Sequence, residues 1–467
     1  MTSAASSRTA APVNLPAGPR TRVSLLAAVS VVVANMVGTG VFTSLGFQVV
    51  SLSSGFVLLL LWVVGGICAF CGALAYAELG AAFPRSGGEY ALLGRVFSRP
   101  AGFLAGWISM IAGFPAAVAL SAIAFGRYLH GLFPSLPPQA TGIAMLLAVT
   151  AVHWSGLRLG SRFQVTTTLM NVATIVVIVA AGLFVPWHGT VSFAPTREDL
   201  GTLFEAPFAI SLVFVMFTYS GWNAATYISG EVARPERNVP RAVAIGTGVV
   251  FVLYLALNAF FLLSTPRDAM KGQVEVALVV ARTAFGPFGG SVMGLVIAVL
   301  LVSSVSSMVW AGSRVTVAVG EDFPRLAILS KRSEGGAPRP AIALQTLVTL
   351  LMVATGTFES VLIFLQFTLL LCSFVTVLGV YVLRRREPDL PRPYRTWGYP
   401  VTPALFMACS LWMMAFVALQ KPTESILGLL SLLVGVLAYF GAARGGSSPG
   451  GAGADGPGTN QPFTESH

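Results

Sequence analysis

The chain has 467 residues, 55% of them hydrophobic and only 10% charged, with a mean hydropathy of +0.79 and a formal net charge of +10. Soluble domains carry about 25% charged residues, so this composition excludes an ordinary soluble enzyme and points to a chain that lives in lipid. The basic excess is accounted for by its placement in the loops, and no nucleic-acid partner is expected.

Asp, Glu, Lys and Arg are absent from residues 23–77, 163–196, 206–230, 242–266, 283–313 and 360–383. A helix needs roughly 20 apolar residues to cross the hydrocarbon core, so the first window holds two spans, divided at Gln48 to Gly55. Breaks at Gly, Pro and charge then give twelve spans. They lie near 23–47, 53–79, 101–129, 140–157, 163–186, 205–230, 241–264, 287–318, 340–356, 360–383, 400–419 and 424–442. The reading is an all-α integral membrane protein with a transporter domain at 23–443, a cytoplasmic amino-terminal tail at 1–22 and a disordered tail at 444–467. Residues 1–20 lack an apolar h-region, so no cleaved signal is expected.

Charge sets the orientation. With twelve spans, 22 of the 28 basic residues fall on the side of the amino terminus. Only Arg127, Arg197, Arg267, Lys271, Arg282 and Lys421 fall opposite. The positive-inside rule therefore places both termini in the cytoplasm of a cell whose plasma (inner) membrane holds the protein.

The first and sixth spans are interrupted at their middles by small residues. One reads Asn35-Met36-Val37-Gly38-Thr39-Gly40-Val41-Phe42, the other Phe217-Thr218-Tyr219-Ser220-Gly221-Trp222-Asn223. Glycines beside hydroxyl residues suit a backbone that unwinds and turns its N–H and C=O groups toward a ligand. The two breaks fall five spans apart, as the first helix of each half of a ten-helix repeat would. A half-helix beginning near Val41 offers free N–H groups and a positive dipole end, which suit a carboxylate. The Ser220-Gly221 break leaves carbonyls which, with the Ser220 and Thr39 hydroxyls, suit an ammonium. Together they fit a zwitterion. Val37, Gly38, Thr39, Gly40, Phe217, Ser220, Gly221 and Asn223 are thus the expected substrate contacts, with Phe217 and Trp222 as an aromatic gate. The alternative use of both clusters is close helix packing.

The eighth span carries Ser303, Ser304, Ser306 and Ser307, whose oxygens suit a sodium ion or substrate, or bond back to their own helix. No Asp or Glu lies mid-span; Glu78 sits at the cytoplasmic end of the second. Intramembrane carboxylates mark proton relays and cation pathways, so neutral substrates are favoured. Cys68, Cys71, Cys372 and Cys409 lie in spans without metal-ligand spacing and read as packing residues. No metal, no cofactor and no catalytic residue is expected.

At these residues the chain resembles the amino acid–polyamine–organocation (APC) superfamily, near the L-type amino acid transporter branch. The stretch from Asn35 to Phe42 resembles its first-helix break, and Ala75-Tyr76-Ala77-Glu78-Leu79 with Phe83 to Tyr90 resembles its second helix and following loop. Tyr219 to Asn223 running on to Glu231 and Pro235 is similar to its sixth helix and loop, and Arg392 to Pro400 to the stretch before its eleventh. The resemblance implies a leucine-transporter-type fold: inverted five-helix repeats at about 23–186 and 205–383, with broken helices one and six, plus two further helices at about 400–442. It also implies that Gly38, Thr39 and Gly40 hold the substrate carboxylate, with Phe217 as the gate and Ser220 and Asn223 near the amino group. Many relatives carry a lysine in the fifth helix where this chain has Asn171, which leaves the coupling ion, sodium or proton, open. Another departure is Gly320-Glu321-Asp322-Phe323-Pro324, where relatives usually have an Arg-Asp pair. The expected function is a permease for neutral α-amino acids, symporter or exchanger, acting as a monomer among membrane lipids. The alternatives are a polyamine or organic-cation carrier of the same fold and a non-transporting amino acid sensor.

Overall fold

The computed structural model describes residues 23–83, 88–156, 161–229 and 232–443; the side chains of 161–168, Asn171, Tyr227 and Ala443 are outside that description. Both expected tails, and the Asn171 side chain, therefore lie outside the described residues. Within them the chain is helical, and its extended pairing is an isolated bridge between Val23 and Val232.

The first apolar window forms α1 (Leu25–Met36), a 3-10 turn at Thr39–Phe42 and α2 (Ser44–Ser51). The Ser24 hydroxyl caps α1 by accepting the Ala27 N–H at 3.3 Å. α3 (Gly55–Ala82) starts at a similar cap from Ser54. α4 (Gly88–Val96) follows, then α5 (Arg99–Ile108), which runs through a π-turn at Ser109–Gly113 into α6 (Phe114–Leu132). Pro115 explains that turn: a proline there withdraws one N–H from the ladder and its ring pushes the preceding backbone wide. α7 (Pro138–Trp154), α8 (Ser161–Gly182) and the short α9 (Arg197–Thr202) complete the first half.

The second interrupted window forms α10 (Ala206–Tyr219) and α11 (Ala224–Tyr227), and α12 (Pro235–Ser264) leads to the one-turn α13 (Arg267–Met270). α14 (Val276–Asp322) bends at Gly286 (φ 75°, ψ −178°) before Pro287. The eighth span expected from residue 287 is thus the part of α14 beyond its bend, and the ten residues before it form a separate helical arm. α15 (Arg339–Thr355), α16 (Phe358–Arg386), α17 (Val401–Gln420) and α18 (Pro422–Ala443) end the chain.

Among the described residues, seven helical stretches are long and apolar enough to cross a membrane: α3, α5 with α6, α12, α14, α16, α17 and α18. Leu347, Leu351, Leu433 and Leu437 point outward from their helices and are more than half exposed. Such faces would drive aggregation in water and are the natural contact surface of lipid tails. The protein is a multi-pass membrane protein. Its core is formed where α3 packs on α12, α6 on α14, α7 on α15, and α1 on α12.

Candidate functional site

The two breaks meet. At the first, Val37 (φ −77°, ψ 94°) and Gly38 (φ −139°, ψ −152°) are extended, and α1 ends at Met36. At the second, Ser220 (φ −61°, ψ 155°) ends α10, and Gly221 takes φ +103°. A Cβ on Gly221 would lie 2.5 Å from the Asn35 carbonyl oxygen and 3.1 Å from the Met36 nitrogen. A Cβ on Gly40 would lie 2.6 Å from Thr218 Oγ1 and 2.9 Å from Thr218 Cα. These glycines let two backbones cross in contact, so the close-packing use and the ligand use of the breaks are compatible.

Gly38 is different. A Cβ there would meet nothing within 4 Å. It faces a crevice lined with Thr39 and Phe42 from the first break and Ile297, Leu300, Leu301 and Ser304 from α14. The free volume, about 10 Å³, is that of one water.

Two tyrosines, each fully buried, secure the carbonyls flanking the first break. Tyr254 on α12 donates to the Met36 carbonyl at 2.6 Å, and Tyr128 on α6 donates to the Phe42 carbonyl at 2.7 Å. An unwound segment in lipid must satisfy its backbone from elsewhere, and here side chains of neighbouring helices do it. The Thr39 hydroxyl pairs with Ser121 at 2.7 Å, while Thr43 donates to the Thr39 and Gly40 carbonyls. Ser44 pairs with Thr218 at 2.9 Å, joining the start of α2, just past the first break, to α10. Ala233 N–H donates to the Val23 carbonyl at 2.9 Å, so the start of α1 is tied to the segment that follows α11.

At the second break the Ser220 hydroxyl donates to the Phe217 carbonyl at 2.6 Å. Phe217 is buried in the core beside it. Asn223 sends its amide to the carboxylate of Glu89 rather than to the unwound backbone. The Tyr76 hydroxyl donates to the same Glu89 oxygen at 3.2 Å and lies 3.3 Å from Ser373 on α16. Glu89 therefore connects α4, α3 and the broken helix. Its neighbour Tyr90 donates to Asp322 at the end of α14, and Arg99 donates to the Asp322 carbonyl at 2.9 Å.

The expected aromatic pair separates. Trp222 lies against Gly72, with its ring 5.5 Å from Tyr76 and 5.5 Å from Phe406. It fills the seam between the second break, α3 and α17, whereas Phe217 stays at the break. The serine run also divides. Ser304 faces the crevice, Ser306 pairs with His153 at 2.9 Å, and Ser307 donates to the Ser303 carbonyl at 2.8 Å.

Sequence reading missed Glu89, Tyr128 and Tyr254. Each had a signal. Glu89 is the first carboxylate after the second span, and tyrosine in an apolar span needs a partner for its hydroxyl. What could not be read was the partner, which lies 134 residues away for Glu89 and 218 for Tyr254.

Comparison with known proteins supports the same direction. The sequence profile of the family described as amino acid permease matches residues 23–442. The chain is 28% identical over 429 residues to the large neutral amino acids transporter small subunit 2 of Mus musculus, covering 90% of this chain and 80% of that protein. It is equally 28% identical to the b(0,+)-type amino acid transporter 1 of Mus musculus over 434 residues, with 90% and 87% covered. For the Asc-type amino acid transporter 1 of Rattus norvegicus the figures are 28% over 431 residues, 90% and 80%. With the profile spanning nearly all of the helical domain, the chain belongs to the amino acid permease family of the APC superfamily, and is a transporter rather than an enzyme.

Proposed function

We propose that this permease moves neutral α-amino acids across the plasma membrane by alternating access, as a symporter or exchanger. The observation that carries this reading is the crossing of two broken helices beside Gly38, whose Cα face opens onto the crevice. In it, the N–H groups of Gly38, Thr39 and Gly40 receive the substrate carboxylate, and the second break, from Phe217 to Asn223, receives the amino group. Phe217 covers the substrate; Trp222 supports the break by packing. A crevice with room for one water admits an amino acid only when its walls part. That requirement supports rocking of the broken pair against α6 and α14.

The packing also supports two inverted five-span repeats plus two further helices. Members of the first half meet their counterparts in the second: α2 with α10, α3 with α12, α6 with α14, and α7 with α15. This reading keeps twelve spans, with both termini in the cytoplasm. The name of one relative, a transporter of large neutral amino acids, agrees with neutral substrates. One relative is named a small subunit; for this chain we keep a single permease unit as the working assembly. Asn171 and the hydroxyls of Ser303, Ser304, Ser306 and Ser307 are the positions at which a coupling ion is to be sought.

The test is uptake of radiolabelled amino acids into proteoliposomes, with and without sodium and pH gradients. Gly38→Leu, which fills the crevice wall, and Ser220→Trp, which blocks the second break, are expected to abolish uptake in protein that still reconstitutes as a monodisperse species. Normal transport by either variant would sink the site assignment. One observation favours a second reading: the Glu89 carboxylate at the second break offers a counter-charge for a cationic side chain. Lysine uptake matching leucine uptake would decide for it.

Glu89 is expected to act as a positioning residue in either case. Glu89→Ala removes the acceptor of Asn223 and Tyr76 and leaves buried donors unmatched, a cost of about 1–3 kcal/mol. Uptake should fall about tenfold or more, while Glu89→Gln, which keeps an acceptor oxygen, retains part of it. Equal rates for the Ala variant and the parent protein would remove Glu89 from the mechanism.

A further inference from the structure

The cytoplasmic end of α16 and the segment leading to α17 hold Arg384, Arg385, Arg386, Arg392 and Arg395 against only Glu387 and Asp389. Two of the arginines are spent internally. Arg384 and Arg392 lie 2.7 and 3.6 Å from the Glu78 carboxylate, which is itself 1% exposed. Arg392 also donates to the carbonyls of Leu383, Glu387, Pro388 and Leu390. The Arg384 guanidinium lies 3.8 Å from the centre of the Tyr399 ring, and the Thr396 N–H donates to Glu78. Glu387 is likewise occupied, held by Arg95 through two bonds of 2.8 and 2.9 Å, which keep its carboxyl below the usual range.

This internal network makes the segment a rigid platform and leaves Arg385, Arg386 and Arg395 exposed and without a partner among the described residues. Beside them Trp397 is 74% exposed, although its carbonyl is held by Thr402. Val401 and Leu405, both outward-facing, begin the lipid-contacting side of α17 within two turns of that indole. An exposed tryptophan at the foot of a lipid-facing helix marks headgroup level. Arginines clustered just beyond a membrane helix are the footprint of anionic lipid recognition.

We propose that Arg385, Arg386, Arg395 and Trp397 form a binding site for the phosphodiester headgroup of an anionic phospholipid in the cytoplasmic leaflet. The leaflet rests on the orientation read from the loop charges; the headgroup chemistry does not. The guanidinium forks grip phosphate oxygens, and the indole lies along the glycerol and upper acyl region. The Glu78 network keeps the arginines from folding back onto the protein.

Native mass spectrometry of the full chain in detergent tests this, with phosphatidylglycerol and phosphatidylcholine offered at equal concentration. The parent protein should retain phosphatidylglycerol in clear preference. The triple variant Arg385→Gln, Arg386→Gln, Arg395→Gln should bind it about 100-fold more weakly. A control altered elsewhere, Arg325→Gln with Lys331→Gln and Arg332→Gln, should retain it. Trp397→Ala removes an exposed ring that the fold does not need, and should weaken retention even if the triple variant fails to fold. Undiminished preference in the triple variant, or in Trp397→Ala, overturns the site. Displacement of the lipid by millimolar inorganic phosphate also overturns it, in favour of a site for free phosphate. Labelling of Trp397→Cys by an impermeant maleimide added outside intact cells would overturn the leaflet alone and leave the retention result standing.

Discussion

Gly221→Ala is expected to reduce initial uptake by about 100-fold or more, in protein that still inserts and reconstitutes. Two independent penalties act on the added methyl. The φ of +103° is a region that L side chains rarely occupy, costing of order 1–3 kcal/mol. The new Cβ would also stand 2.5 Å from the Asn35 carbonyl oxygen and 3.1 Å from the Met36 nitrogen. Both are backbone atoms, so no rotamer change relieves the overlap. The second break must then move away from the end of α1, and the proposed carboxylate and amino subsites part together. About 2.7 kcal/mol is 100-fold in rate, so the strain alone reaches the expected size. Gly40→Ala should behave similarly, because its Cβ would meet the Cα of Thr218 at 2.9 Å and shortening the Thr218 side chain would not make room. Gly248→Ala on α12, where a Cβ meets nothing within 4 Å, is the matched control and should transport normally. Uptake of Gly221→Ala within a factor of a few of the parent would show that the breaks need not touch.

The second large effect concerns stability. Glu78→Ala is expected to destabilise the fold by about 3–5 kcal/mol, since removing one member of a buried ion cluster strands the others. Glu78 is 1% exposed, and it receives Arg384 through bonds of 2.9 and 2.7 Å with Arg392 at 3.6 Å. Arg392 is itself 5% exposed, so water does not replace the lost carboxylate. The Thr396 N–H loses its acceptor as well. The change should appear as a fall of about 5 °C or more in the thermal midpoint of the detergent-solubilised protein. Glu78→Gln keeps an oxygen for Arg384 or Thr396 but no charge, and should fall in between. Adding Arg384→Gln to Glu78→Gln should recover part of the loss, the non-additivity expected of a coupled pair. An unchanged midpoint for Glu78→Ala would mean that the cluster is solvated and structurally neutral.

These two effects divide along the line between local and distant information. Gly221 could be picked out from its neighbours, because a glycine between Ser220 and Trp222 in the middle of an apolar stretch is a poor lipid-facing residue. The break was legible for that reason, as was the one at Gly38. Glu78 could be seen as an acid at the end of a span, but its partners lie 306 and 314 residues further on. Trp222 shows the same limit from the other side. Its position next to the break suggested a gate, and the tertiary packing turned it toward Gly72, Tyr76 and Phe406. A helix interrupted by Ser220-Gly221 changes direction, so proximity in sequence no longer reports which cavity a side chain faces.

By itself the sequence determined the membrane setting, the positions of the apolar helices, the two interruptions and the family. Each depends on properties summed over a window or carried by a short motif: hydropathy over some 20 residues, loop charge, and small residues where a helix should continue. Tertiary structure decided how the interruptions are used. It brought Gly221 onto Asn35 and Gly40 onto Thr218, and it assigned the carbonyls of Met36 and Phe42 to Tyr254 and Tyr128. It joined Glu89 to Asn223 and divided the serine run between crevice, histidine and backbone. The physical reason is common to all of these: a polar group in a low-dielectric interior must find a partner, and only the packed arrangement of helices says which one is within reach.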